Sequence, residues 1–333
     1  MNKTDFQAPS AISWGIIGCG DVTEIKSGPA FHKVAHSRLL AVMRRNAAKA
    51  EDYARRNNVP QWYSDAKELL NNPEINAVYV ATPPKFHEEY VIAALEKGKF
   101  VYVEKPVTVS VASCERMIAA AARYGGKLCV AHYRRAQPMF LAIKDALERI
   151  GRVKMVDLTM FQPDNSGLIA KTETNWRVVP EISGGGLFFD LAPHQLDILI
   201  FLLGDPVRYA GGPAYQTHFY EAEDAVAGTI EFPEQALFTG NWCFTVPGFL
   251  TEDLCRIIGD KGSIEFPFFG NQFSVTSEEK KETFPFQRLE HVQQPMIQKV
   301  VDYFMGKGDN PCSAEEALKS MAVMEAFVQK ASY

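Results

Sequence analysis

Residues 11–18 (AISWGIIG) run without a break into Gly18-Cys19-Gly20-Asp21-Val22-Thr23, and this junction restricts the fold more than any other stretch of the chain. An apolar run of that length, ended by glycine, predicts a short buried strand. The turn after it has the spacing G-x-G-x-x-G, with Thr23 as the small residue in last place. Such a turn lets backbone approach a pyrophosphate at the start of the following helix, so Gly18, Gly20, Asp21 and Val22 are expected to bind a dinucleotide. The spacing alone is common by chance. Its weight comes from the alternation of strands and helices that follows.

Strands are expected at residues 37–43, 77–81, 99–103 and 127–131, and helices at 47–57, 65–70, from 86 onward and 111–124. Buried strands alternating with helices predict an α/β domain with a doubly wound parallel sheet over residues 1–131. In that topology the carboxyl ends of strands face the cofactor. Thr82, Pro83 and His87, after one strand, and Glu104 and Lys105, after the next, are therefore expected at the cleft. His87 has a second reading as an exposed first-turn residue. An NAD-specific site places an acid about 20 residues past the glycines. Here the strand at 37–43 leads into Arg44-Arg45-Asn46, and two guanidinium groups at that place suit the 2′-phosphate of NADP. The expected cofactor is thus NADP(H), with NAD(H) as the lesser possibility.

Residues 132–333 change character. After His132-Tyr133-Arg134-Arg135 and a helix at 138–150 come apolar stretches at 153–161, 207–210, 225–232, 236–244, 253–259 and 262–266, set between Gly, Pro and Asp turns. They predict an α+β domain with a large, mostly antiparallel open sheet, covered on one face by a few helices. A last helix is expected at 313–331, with Ser313 and Glu316 as a capping box. Inside this half, residues 184–197 read GGGLFFDLAPHQLD. On a helix Asp190, His194 and Asp197 share one face, and a carboxylate four residues from an imidazole can orient it. The apolar run at 198–203 requires the helix to be largely buried, which makes those ionisable groups costly. Pro193 either kinks this helix or starts it afresh.

The 333 residues suit two domains, and a net charge of −5 without a basic stripe makes nucleic acid an unexpected partner. The beginning of the chain lacks an apolar signal core and no apolar run approaches the span of a bilayer, so neither a membrane nor export is expected. Six cysteines without a C-x-x-C pair or a histidine at ligand spacing fit free thiols of the cytoplasm and give no metal site. Redox chemistry here needs an organic cofactor.

Taken together, the turn at Gly18, the stretch Ala81-Thr82-Pro83-Pro84 with His87, the triplet Glu104-Lys105-Pro106 and Gly184-Gly185-Gly186 with Asp190 and His194 resemble the glucose–fructose oxidoreductase, inositol dehydrogenase and MocA family of pyridine-nucleotide oxidoreductases. The resemblance implies an N-terminal Rossmann domain and a C-terminal domain whose open sheet forms a homo-oligomer, dimer or tetramer. It implies that Lys105, Asp190 and His194 are the catalytic lysine, aspartate and histidine. It also implies a substrate side that takes in Tyr133, Trp176 and Arg177, and a sugar, cyclitol or related polyol as substrate. The absence of an acid at Met43-Arg44-Arg45 places the chain nearer the NADP-using members. Two other classes stay open: a non-catalytic dinucleotide-binding sensor, which would bind NADPH without consuming it, and a nicotinamide-dependent glycosidase, which would release sugar with no net change in cofactor.

Overall fold

The computed structural model describes residues 9–164, 166–168, 175–217 and 219–329. In chain order its elements are β1 (Ile12–Ile17), α1 (Asp21–Ile25), α2 (Ala30–Lys33), β2 (Ser37–Met43), α3 (Ala47–Arg56), β3 (Gln61–Tyr63), α4 (Ala66–Asn71), β4 (Ala77–Val80), α5 (His87–Glu96), β5 (Phe100–Val103), α6 (Val111–Tyr124) and β6 (Leu128–Val130). There follow α7 (Pro138–Ile150), β7 (Val153–Phe161), α8 (Pro180–Ser183), α9 (Leu187–Leu203), β8 (Arg208–Ala214), β9 (Ala225–Glu231), β10 (Leu237–Cys243), β11 (Glu252–Gly259), β12 (Gly262–Phe266), β13 (Gln272–Ser277), β14 (Lys281–Pro285), α10 (Gln294–Phe304) and α11 (Ala314–Val328). The expected final residues of the last helix, 330 and 331, lie outside the described residues.

Two compact units form. The first takes residues up to Thr108, Ala112–Ala136 and Glu290–Glu315, and the second takes Val109–Val111, Gln137–Leu289 and the residues from Glu316. From beyond the boundary expected at residue 131, α10 returns to the first unit. The reason is aromatic packing. Phe304 of α10 is fully buried, stacked on Phe100 with ring centroids 5.0 Å apart and tilted against Trp14 at 5.7 Å. Lys127 Nζ also donates to the carbonyl oxygen of Tyr303 at the end of α10.

The first unit holds a six-stranded parallel sheet in the order β3-β2-β1-β4-β5-β6. β1, β4 and β5 are buried along their whole length, as strands covered on both faces must be. Strand order reverses between β1 and β4, and such a switch point leaves a crevice at the carboxyl ends where a ligand can sit. β3, α2 and α10 give no clear signal in the sequence. β3 is a three-residue edge strand and α2 is a single turn.

The second unit has an eight-stranded sheet, β14-β13-β12-β11-β7-β10-β9-β8. Every pairing is antiparallel except β7 with β10. β13 and β14, which the sequence pattern did not single out, extend it at one edge. They are polar on alternate positions and hold their inner face through Phe273 stacked on Phe284 at 4.9 Å. The stretch 180–203 is long and apolar enough to cross a bilayer by composition, yet it is mostly buried within the fold. Its longer part, α9, is buried through most of its length in the unit's core. Gln195 on it accepts the indole N–H of Trp242 on β10 at 2.6 Å.

If Glu290–Glu315 completes the first core, removing the Phe304 ring leaves a cavity beneath Phe100 and Trp14. Phe304→Ala should destabilise the protein by about 3–5 kcal/mol in urea unfolding. A loss below about 1 kcal/mol would show that the returning segment is an accessory of the sheet and not part of its core.

Candidate functional site

At the switch point the end of β1 and the end of β4 touch through backbone. Gly18 has φ of +95°, and a Cβ there would lie 2.8 Å from Thr82 N and 2.9 Å from the Ala81 carbonyl carbon. Only glycine tolerates both conditions. The Gly18 and Cys19 N–H groups donate to the Met43 carbonyl at 2.9 and 3.2 Å, which ties the turn to β2. Gly20 is the residue before α1, and a Cβ on it would meet nothing nearer than Gly18 O at 3.9 Å. Space beside the turn is therefore open, as close approach of a pyrophosphate requires. Asp21, exposed, and Val22, half-buried, form the first turn of α1. Thr23 is buried, and its hydroxyl donates to Gly20 O at 2.7 Å. Burial pushes the Cys19 thiol up to about 12, so it is an inert part of the turn.

The groups expected around this turn divide in two. Arg44, Arg45, Thr82 and Pro83 keep accessible surface. Arg44 Nη1 donates to Cys19 O at 3.3 Å, which sets its guanidinium across the glycine turn. Arg45 stands over the Phe86 ring at 5.4 Å. Thr82 Oγ1 is a buried hydroxyl oxygen without a hydrogen-bond partner among the described residues. A turn clear of side chains, an orphaned hydroxyl and two guanidinium groups fit a pyridine dinucleotide.

His87 and Glu104 behave differently from expectation. His87 is 0% exposed and cannot line a cleft. Its Nε2 faces Thr82 O at 2.7 Å and its Nδ1 faces Pro106 O and Val107 O, each at 3.1 Å. It braces the end of β4 against the loop after β5. Burial pushes its imidazole down from the usual range, while those carbonyls and the Glu104 carboxylate act the other way. Glu104 is buried too. Its Oε1 accepts the Tyr79 hydroxyl and, at 2.6 Å, the Gln293 amide, while its Oε2 accepts the Lys105 N–H at 3.1 Å. Tyr102 donates to Gln293 Oε1 at 3.1 Å and completes the network. The Glu104 carboxylate thus anchors the Lys105 backbone from below. Lys105 itself is half-buried and precedes a cis bond to Pro106. Gln293, which comes from the returning segment, was not legible as part of this support.

In the second unit, three glycines make room for the start of α9. Gly184 ends α8 with φ of +93°, and a Cβ on Gly186 would lie 2.3 Å from Glu223 O. The Gly186 N–H donates to Glu223 Oε1 at 2.6 Å. α9 then runs unbroken through Pro193, so the sequence alternative of a fresh start there is not taken. Asp190 lies in the first turn, and its Oδ2 accepts Arg177 Nε at 3.0 Å. Arg177 is buried and stacks on Trp176, 4.3 Å from guanidinium carbon to ring centroid. The three therefore form one assembly. His194 and Asp197 are buried on the same helix, and the His194 ring meets Phe269 at 82° with centroids 5.8 Å apart. Tyr133, expected on the substrate side, belongs to the first unit and is buried, with the Arg134 guanidinium 5.6 Å from its ring centroid. Glu223 had no motif to announce it. The only hint was a pair of acids, Glu223 and Asp224, at the head of an apolar strand.

Residues 12–132 match the model of an oxidoreductase family with an NAD-binding Rossmann fold, and residues 144–333 match that family's C-terminal alpha/beta domain. An oxidoreductase of Formosa agariphila is 43% identical over 320 residues, covering 96% of this chain and 98% of its own length. The 1,5-anhydro-D-fructose reductase of Ensifer adhaerens is 26% identical over 258 residues, 75% of this chain and 74% of the reductase. In three dimensions the chain is similar to the aldose–aldose oxidoreductase of Caulobacter crescentus, solved with glycerol, with a TM-score of 0.84 over 95% of this chain and 96% of that one at 23% identity. With both of its units matched in order, the chain belongs to the glucose–fructose oxidoreductase, inositol dehydrogenase and MocA family and is an NAD(P)-dependent oxidoreductase.

Proposed function

We propose that the protein transfers a hydride between NADP(H) and a hydroxyl or carbonyl carbon of a sugar, cyclitol or related polyol. The observation that carries the cofactor reading is Arg44, fixed across the glycine turn by its bond to Cys19 O, with Arg45 beside it and no acid at the end of β2. A carboxylate there would accept from a ribose 2′-hydroxyl, whereas guanidinium groups repay a 2′-phosphate. NAD(H) would bind, more weakly. The name of the Ensifer relative supports a carbohydrate substrate. Six free cysteines fit a cytoplasmic enzyme.

The bound nicotinamide supplies hydride exchange at a ring carbon. For the proton, His194 takes it from the reacting hydroxyl in oxidation and returns it in reduction, as an imidazole does near neutral pH. Lys105 donates to the same oxygen and favours its anionic character. Asp190, oriented by Arg177, accepts from substrate hydroxyls or steadies the imidazole, and the Trp176 ring offers a flat apolar surface to a sugar face. Glu104 and His87 act through the backbone around Lys105.

A homo-oligomer, dimer or tetramer, is proposed through the open face of the eight-stranded sheet. Leu237, Met155 and Ile258 stand in one row across β10, β7 and β11 on that face, and Leu237 is 48% exposed. An apolar row on an otherwise polar sheet is suited to a self-complementary contact.

Lys105→Met and His194→Ala should each lower turnover by on the order of 100-fold or more while leaving NADPH affinity nearly unchanged. Parent-like turnover of both, followed at the nicotinamide absorbance with a panel of polyols, removes these roles. In binding titrations the parent should favour NADPH over NADH, and Arg44→Asp should reverse or erase the difference. Equal affinities in the parent would sink the NADP assignment. Leu237→Lys should shift the light-scattering mass toward the monomer, and an unchanged mass counts against the sheet contact.

A further inference from the structure

Glu223 lies two residues before the start of β9, 37 residues beyond Gly186, and it is nearly excluded from water, with 4% of the residue exposed. Gly186 is the N-cap of α9 and brings no side chain to cap it. The Glu223 carboxylate does that task from a distance, through Oε1 on the Gly186 N–H at 2.6 Å. Glycines make the approach possible. A Cβ on Gly185 would come within 2.9 Å of Glu223 Oε1, and one on Gly186 within 3.1 Å. Negative charge is favourable at a helix N-terminus, and a hydrogen bond to a carboxylate is roughly twice as strong as a neutral one. The helix so capped carries Asp190 in its first turn and His194 one turn further on. We propose that Glu223, in its ionised form, is a positioning residue of the reaction, which fixes the first turn of α9 and through it the stations of Asp190 and His194. This rests on the roles given to those two residues above.

The surroundings of Glu223 oppose its ionisation. Burial pushes its carboxyl from an ordinary 4.5 up to about 6, and the neighbouring Asp224 carboxylate adds to the rise. The N–H groups of Gly186 and of Glu223 itself act in the opposite sense. Tyr215 and Tyr220 also face the carboxylate, and its charge helps to raise both phenols. On α9 the nearest ionisable side chain in sequence is Asp190, whose charge is met by Arg177. A carboxyl that binds its proton more tightly in the folded state costs stability when it ionises. Stability therefore falls as pH rises through the window from 4.5 to about 6 and is level above it. The proposed role needs the ionised form, so turnover should rise across the same window. A residue that served stability alone would not set the two against each other.

Glu223→Gln keeps an oxygen for the Gly186 N–H and cannot ionise. Its melting temperature minus that of the parent should grow between pH 4.5 and 6 and stay level above. Its kcat at pH 7.5 should fall on the order of 10-fold, with NADPH affinity unchanged. Measured in the reduction direction, where His194 acts in its protonated form, the parent's acid limb of kcat near pH 6 should be missing in the variant. Parent-like turnover in the variant, or the same acid limb in both, overturns the proposal. If the parent transfers no hydride with any polyol, the oxidoreductase reading fails instead. Amide hydrogen exchange at residues 186–191 of the parent then decides the matter for Glu223. Protection lost below pH 6 supports the ionised cap, and protection independent of pH overturns it.

Discussion

The contact that everything else depends on is the meeting of two strand ends with nothing between them but backbone. Gly18 leaves β1 in a left-handed conformation and lies against the Thr82 amide at the end of β4. A methyl group at that point would push the two strands apart or tilt the turn away from β2, whose Met43 carbonyl holds it. Once the two ends are pinned, the next loops have fixed origins. Arg44 follows from β2, Thr82 and Pro83 from β4, and Lys105 from β5. The crevice at the switch point is thus a consequence of sheet topology.

Both units handle buried charge in the same way. Among the described residues, carboxylates drawn out of water in both units are met by donors. Tyr79, Gln293 and the Lys105 N–H serve Glu104. Gln216 and Thr217 serve Asp224. Arg177 serves Asp190. Taking a donor away would leave an under-satisfied buried charge, with a cost of several kcal/mol for a fully buried partner. These sites are therefore stiff, and they lie next to the residues assigned to chemistry. Glu223 stands apart, because its donors leave it only partly compensated and its carboxyl remains raised.

How far the sequence could be read depended on how local the cause was. β2, α6, α7, β7 and β12 have ends where a strand or helix pattern meets a turn residue, and their limits coincide with those expected from the pattern. Where the cause lay elsewhere in the chain, the pattern was silent. α10 is amphipathic like any surface helix, and only the aromatic slot formed by Phe100 and Trp14 says which unit it joins. β13 and β14 are read poorly because an edge pair needs few apolar residues. The glycine triplet was legible as a special place, but its reason, a carboxylate arriving from residue 223, was not. His87 was legible as a residue of the strand end. That it turns inward, to three carbonyls, depends on a loop that ends 20 residues later.

The placing of Lys105 shows why such non-local supports matter for the chemistry. An ammonium on a four-carbon stem has many rotamers, and a lysine intended to meet one oxygen gains from a backbone that cannot drift. Here the residue before it is a buried carboxylate that accepts the Lys105 N–H. The carbonyls of the two residues after it, Pro106 and Val107, face one nitrogen of a buried imidazole. The other nitrogen of that imidazole faces Thr82 O, beside the glycine turn. Any displacement of the Lys105 loop must therefore disturb either the Tyr79–Glu104–Gln293 network or the end of β4. The amine is located by the same strand ends that form the crevice, so the cofactor turn and the lysine share one frame within the first unit.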